Sequence, residues 1–446
     1  MAQNFLSCDR EQVMLLPPSV AEWLPAGHLA RFVIEVVDSL DLSGIVGAYR
    51  VDGSGRPAHD PAMMVALLFY NYAVGVRSSR AIERRCVEDV PCRVIAANRA
   101  PDHVTVARFR RRHAGALAGL FDDVLELCWR AGLVEAGTIA IDGTRLRANA
   151  ALDANRSYRA IAEELLADAE RVDAEEDVRF GDLRGDELPA ELADPQTRRE
   201  RLREAKRQMD CERQAAREEY ERKLAQRAEH QQRTGQQMQG RKPKPPEQRH
   251  PKDRPSDKRN VTDPDSRIVR DRGAAIQGYN AQIAVGSGRV IVAADVTDSP
   301  NDSGQLAPMA GLAGQALERL GRPKPPGLVL ADGSYWNREM ISQLTSHAVE
   351  VLIPPDGPQT NRATARRRPR QGPEAQRIQS VLSTPAGQAR YRQRAAMVEP
   401  VFAEIKHTRQ ITRFLRRGLQ AVRDEFALIA TTHNLRRLYF AGLRVT

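Results

Sequence analysis

The stretch GTIAIDGTRLRANA, residues 137–150, sets an alternating apolar run, Ile139 and Ile141 around Ala140, against Asp142-Gly143. An apolar strand that ends in a carboxylate has two readings. Asp-Gly is a strong signal for a tight type I′ turn, so a hairpin is one of them. The other comes from a repeat of the same device: GLVLADGSYWN, residues 327–337, runs Leu328, Val329 and Leu330 into Asp332-Gly333. Two buried strands that each deliver an aspartate at one end can bring two carboxylates together from distant parts of the chain.

The surroundings of these strands predict a mixed α/β sheet. GYNAQIAVGSGRVIVAADVTD (278–298) reads as two alternating strands joined at Gly-Ser-Gly, a β-hairpin. A helix is expected over SGQLAPMAGLAGQALERLG, then the Asp332 strand, a helix over 337–347 and a short strand at 349–355. Residues 356–390 are rich in Pro, Arg and Gln and read as a basic linker. Two helices follow, one from near 395 and one over 420–440.

A chain of 446 residues accommodates two or three domains, and its net charge of +10 suggests a polyanionic partner. The apolar run PAMMVALLFYNYAVGV (61–76) contains Asn71 and falls short of the ~20 residues of a membrane span, so it reads as a core helix. Asp9, Arg10 and Glu11 interrupt the segment where a signal peptide would need apolar residues, and the expectation is a cytoplasmic, nucleoid-associated protein. Cys8, Cys86, Cys92, Cys128 and Cys211 are scattered, which suggests neither a disulfide framework nor a zinc site.

Residues 1–135 read as helical and form the expected N-terminal DNA-binding domain. Within 78–117, Pro91 and Pro101 break short helices. Asp102 is placed to cap the last of them, after which Thr105, Arg108 and Arg112 share a face, with Arg111 beside them. A helix-turn-helix with a basic recognition surface is one reading, and a solvated basic face on a helical bundle is the other. Residues 156–260 form a charged insertion. Leu202, Ala205, Met209, Ala216, Tyr220 and Leu224 keep a loose heptad-like spacing there, and residues 240–260 read as a Pro-rich basic linker.

A third acid is found in YRQRAAMVEPVFAEIKHTRQITRFLRRG, residues 391–418. Glu399 and Lys406 are seven apart, close to two helical turns, and so share a face. Arg409, Arg413 and Arg416 are expected to continue it at roughly one-turn intervals. Glu404 falls some 140° round the helix from Glu399, on what reads as solvated surface.

At these residues the chain resembles the bacterial insertion-sequence transposases of the DDE class, in the branch with a ribonuclease-H-like catalytic core. The resemblance is carried by IDGTRLRANA, TDPDSR (262–267), GYNAQIAV, NDSGQLAPM (301–309), ADGSYWN and VEPVFAEIK, with PDHVTVARFRRRH in the N-terminal part. It implies that Asp142, Asp332 and Glu399 are catalytic and bind two divalent ions, Mg²⁺ or Mn²⁺. It implies a catalytic domain made of 136–155 and 261–446, and a signature of Tyr391, Arg394 and Lys406. Four residues separate Arg394 from Glu399 where the signature has three. The implied partners are double-stranded DNA, as the element's terminal inverted repeats and the target, and further copies of the chain in a dimer or higher assembly on DNA.

The implied chemistry has independent physical support. Phosphodiester cleavage needs a nucleophile, a stabilised leaving oxygen and neutralised phosphate charge, which two carboxylate-held Mg²⁺ ions about 4 Å apart supply. A water attacks first, and the freed 3′-hydroxyl then attacks target DNA. Arg409 and Arg413 join Lys406 as expected phosphate contacts. Tyr335 and Trp336, next to Asp332, suit either stacking on an unpaired base or core packing. Asp302 reads as a helix cap in preference to a group supporting the site, and TDPDSR as a turn with local caps. The competing readings are a DNA-binding protein derived from a transposase and a ribonuclease-H-like nuclease without strand joining.

Overall fold

The computed structural model describes residues 19–49, 57–135, 137–164, 195–237, 242–249, 258–271, 273–321, 326–355 and 372–442. The expected segments at 165–194, 238–241, 250–257 and 356–371 lie outside these residues.

The N-terminal part is helical: α1 (Leu29–Ser39), the short α2 (Ser43–Val46), α3 (Pro61–Ala73), α4 (Ser79–Glu88), α5 (Val90–Ile95), α6 (His103–Arg112) and α7 (Ala114–Arg130). Side-chain caps set where these begin. Asp60 accepts from the Met63 amide, Asp89 from Cys92 and Asp102 from Thr105, each satisfying an N–H that the first helical turn leaves unpaired. Helix α3 is buried from Met64 to Ala73, and Asn71 within it satisfies its amide by donating to Leu67 O at 2.8 Å. No helix among the described residues is long and apolar enough to cross a membrane.

The sheet is built on β1 (Thr138–Arg147). It pairs antiparallel with β5 (Ala274–Val285), with Asp142 opposite Ile283. On its other side it pairs parallel with β7 (Leu328–Leu330), which pairs parallel with β8 (Glu350–Leu352). Strand β4 (Arg267–Asp271) pairs with residues 274–278 of β5, and β6 (Ile291–Thr297) with the far end of β5. Strands β2 (Asn155–Ser157) and β3 (Lys258–Asn260) form a separate ribbon. The expected hairpin of β5 and β6 is present, and Gly288 turns it with φ +67°.

The Asp-Gly turn reading is corrected here. β1 does not stop at Asp142; it continues through Gly143 to Arg147, paired with β5 from Ala140 onward. Local turn propensity is overridden by the ladder to β5, since the pairing with β7 ends at Ala140.

Helices α9 (Leu306–Arg319) and α10 (Arg338–Ser346) fall where expected. The expectation of a linker to residue 390 is corrected: α11 (Pro373–Leu382) and the start of α12 (Pro385–Ala403) occupy its second half, each opened by a proline in its first turn. Helix α13 (Leu419–Phe440) packs against α7, α3 and β6, and one apolar core runs from Leu24 to Leu438. Asn434 pins the edge of β6, accepting from Ile291 N at 2.9 Å and donating to Ile291 O at 2.8 Å.

In the insertion, α8 (Pro195–Thr234) is a single long helix. Its first half is anchored: Leu202, Ala205 and Met209 form a small core with Ile161, and Glu212 pairs with the buried Arg259 at 2.7 Å and with Arg267 at 2.9 Å. The 240–260 segment is not wholly without structure, since Lys258–Asn260 is β3 and carries Arg259. A deletion that removed Glu212 would leave that guanidinium in the interior without its carboxylate. Leu224, further along α8, is exposed.

Candidate active site

Register brings the first two aspartates together. Ala140 pairs with Leu330 in the parallel β1–β7 ladder, and Asp142 and Asp332 each stand two residues further on, Asp332 just past the end of β7 and close enough to act on the Asp142 carboxyl. Asp332 is fixed by the Ser334 backbone amide at 2.8 Å and the Ser334 hydroxyl. Asp142 accepts from Gly143 N at 2.9 Å and from Arg394 Nη1 at 3.0 Å. Burial pushes the Asp142 carboxyl up to about 6; Arg394 opposes the shift and Asp332 adds to it. Tyr391 belongs to the same cluster: burial raises its phenol, with Arg394 opposing and Asp332 adding. So Tyr391 and Arg394, one turn apart on α12, stand with the two aspartates.

Behind this pair lies a polar cluster that sequence reading missed. Asp302 accepts from Arg145 Nη2 at 3.0 Å, Asn280 Nδ2 at 2.8 Å, Gln282 Nε2 at 2.9 Å and the Ser334 hydroxyl at 3.3 Å. This corrects its reading as a helix cap, since its carboxylate gathers side chains. Through Ser334 it is linked to Asp332. Gly143 permits the approach: a Cβ there would stand 2.2 Å from Gln282 Nε2 and 3.0 Å from Asp302 Oδ1. The signal in the sequence was the pair of amides at alternate positions, Asn280 and Gln282, in a strand whose neighbouring positions Ala281 and Ile283 are apolar.

Glu399 is exposed on α12, five residues beyond Arg394. Among the described residues no three His, Cys, Asp or Glu side chains converge on one point, so Glu399 is not gathered with the two aspartates here. Lys406 donates to Arg145 O at 2.9 Å, which ties its segment to β1.

The expected helical stripe after Lys406 is corrected. Helix α12 ends at Ala403 and passes into a π turn, Glu404–Thr408, after which the chain runs extended beside β1, with Arg413 bridged to Arg147. Arg409 is 2% exposed; it donates to Tyr72 O at 2.9 Å, Ile429 O at 3.1 Å and Thr432 Oγ1 at 2.7 Å, so it joins α3 to α13 and does not reach a DNA phosphate. Gly75 makes room for it, since a Cβ there would stand 2.3 Å from Arg409 O. Arg416 pairs with Asp424 at 3.3 Å.

Glu404 also departs from expectation. It does not face solvent; it pairs with His433 Nδ1 at 2.8 Å and Arg436 Nε at 2.9 Å. Burial raises its carboxyl, but His433, Arg409 and Arg436 outweigh burial and hold it below its ordinary range. Tyr335 is fully buried with its hydroxyl on Gln282 Oε1, which excludes it as a stacking platform in this structure. Trp336 is half-buried against the core. TDPDSR is a turn, with Ser266 N on Asp263 O at 3.1 Å, and its acids also cap a distant helix: Asp263 accepts from Gly418 N at 3.1 Å and Asp265 from Leu419 N at 2.7 Å, where α13 begins.

On α6, Thr105, Arg108 and Arg112 line one cavity of about 560 Å³, together with Tyr49 and His59. The Arg112 guanidinium lies 4.8 Å above the Tyr49 ring. Arg108, Arg111 and Arg112 are exposed. Of the cysteines, Cys86, Cys92 and Cys128 are buried and free, and Cys211 is exposed.

Residues 18–112 match a family described as Transposase domain (DUF772), and residues 357–439 match one described as Transposase DDE domain. Comparison with curated proteins and with solved structures gives no match.

Proposed function

We infer, from the premise that this chain is an insertion-sequence transposase of the DDE class, that it cuts its element's ends from flanking DNA and joins them to a target. The observation that carries this reading is the register that sets Asp142 beside Asp332, with Arg394 held on Asp142. The strand order, with β1 between its antiparallel neighbour β5 and the parallel β7 and β8, supports a ribonuclease-H-like core.

The donor set suits a hard divalent cation. Two adjacent carboxylates, one desolvated enough to hold its proton up to about pH 6, call for positive charge between them, and oxygen ligands favour Mg²⁺. Asp142 and Asp332 would hold two ions with Glu399, whose position on α12 leaves its side chain free of the core. When bound, the ions activate the attacking oxygen and offset charge on the phosphate. At neutral pH Asp142 is ionised. Arg394 supplies its counter-charge until a cation does, and is then placed to donate to a phosphate oxygen. Ser334, held between Asp332 and Asp302, fixes one carboxylate before DNA arrives, and such preorganisation is worth most in a site that excludes water. Thr105, Arg108, Arg111 and Arg112 on α6 would hold the terminal repeats of two ends within a dimer or larger assembly.

The test is incubation of the full chain with a duplex spanning either boundary of the DNA segment that encodes it. The expected result is a strand break at the boundary with a free 3′-hydroxyl, formed only with Mg²⁺ or Mn²⁺. Binding without cleavage in either metal would favour a DNA-binding protein derived from a transposase. Cleavage without joining to a second duplex would favour a nuclease.

A further inference from the structure

At the end of β1 remote from β7 lies a second concavity, of about 630 Å³, lined by Arg147, Arg413 and Arg417 with Asn149, Thr262 and Gln277 among its other walls. Among the described residues that line it there is no Asp or Glu. Three guanidinium groups line the cleft, and although Asp263 beneath it acts on Arg417, Arg147 and Arg413 add positive charge that attracts a polyanion. Two of the three are pre-positioned by one side chain and its backbone: Arg413 donates to Asn149 Oδ1 at 2.7 Å, and Arg417 Nε to Asn149 O at 2.9 Å. Asn149 is locked in turn by donating to Leu415 O at 2.9 Å. The floor is rigid, because the Thr412–Phe414 backbone hydrogen-bonds to Arg147 on both sides, Arg147 N to Thr412 O at 3.1 Å and Phe414 N to Arg147 O at 2.8 Å.

We propose that this cleft is a phosphate-binding site for one strand of the DNA that enters the Asp142 centre. The proposal rests on the transposase reading above and adds to it a second anchorage on the same strand of the sheet. Arg147 is five residues along β1 from Asp142, about 16 Å at the rise of a β-strand, and the odd spacing sets its side chain on the opposite face of the sheet, so the bound strand would pass round the end of β1. Guanidinium forks suit phosphate oxygens, and a contact to phosphate alone carries no base preference.

The experiment is a salt titration of binding by the full chain to a fluorescent mixed-sequence duplex of about 30 base pairs, long enough to cover several phosphate contacts. Arg147→Gln and Arg417→Gln should each lower the slope of log affinity against log salt by about 0.9, and the double variant by about 2. Lys223→Gln on the outer half of α8 should leave it unchanged. An unchanged slope in the double variant, an equal fall in Lys223→Gln, or no duplex binding by the native chain would overturn the proposal. Arg147 is exposed, so Arg147→Gln tests the cleft even where Arg417→Gln disturbs folding. Boundary cleavage separates the two readings: unchanged slopes with cleavage intact remove the cleft alone, while altered slopes without cleavage remove the catalytic reading and keep the cleft.

Discussion

The Asp142→Asn variant is expected to be inactive in metal-dependent cleavage and, without metal, more stable than the native chain at neutral pH. The sign follows from the raised carboxyl. Folded Asp142 keeps its proton up to about pH 6, against an ordinary value of 3.8, so across that window the folded state binds more protons than the unfolded one and stability falls as pH rises. Above pH 6 the ionised group costs the fold about 3 kcal/mol, and an uncharged isostere removes that cost. Urea unfolding of both chains from pH 4 to 8 checks this: the curves should coincide near pH 4 and separate toward pH 6, with the variant the more stable. A less stable variant at pH 7 would mean that the Arg394 pair outweighs desolvation. With the variant the more stable, the charge of Asp142 is one that the fold carries at a cost in stability.

Glu399 and Glu404, five residues apart, should fail in different ways when changed to Gln. Glu404→Gln withdraws the carboxylate that faces His433, Arg436 and Arg409 in the interior, and such a loss costs about 3 kcal/mol or more. Its contribution is present above the ordinary carboxylate range and is lost on acidification, the reverse of Asp142. The exposed Glu399 supports nothing in the core, so Glu399→Gln should melt like the native chain while losing cleavage by orders of magnitude and keeping DNA binding. Melting, cleavage and binding assays on both variants decide it. An active Glu399→Gln would remove Glu399 from the site.

Much of this was legible in the sequence because period and punctuation are local. The alternation around Tyr279, the cap at Asp102 and the helix of α9 each follow from neighbours within a few positions. Asp142 and Asp332 were legible for a related reason, as each interrupts a short apolar run in the same way. The Asp-Gly pair does not end β1 because the ladder to β5 overrides local turn propensity. The stripe from Lys406 to Arg416 was misread because a π turn and an extended segment break the helical period after Ala403, and no residue in EIKHT announces it. Arg409 and Glu404 looked like surface charges since their partners, Tyr72 O and His433, come from other helices. Asn149, Arg147 and Arg417 were invisible as a group, because only the pairing of Arg413 beside Arg147 brings them together.

Asp142, Asp332 and Glu399 are expected to hold divalent metal together. This is tested most directly by anomalous diffraction from Mn²⁺ in crystals of the full chain bound to boundary DNA. The expected result is Mn²⁺ held by Asp142 and Asp332, Glu399 turned in as a ligand, and Arg394 moved from Asp142 to a phosphate. Mn²⁺ held elsewhere, with Arg394 still on Asp142 and Glu399 in solvent, would contradict it.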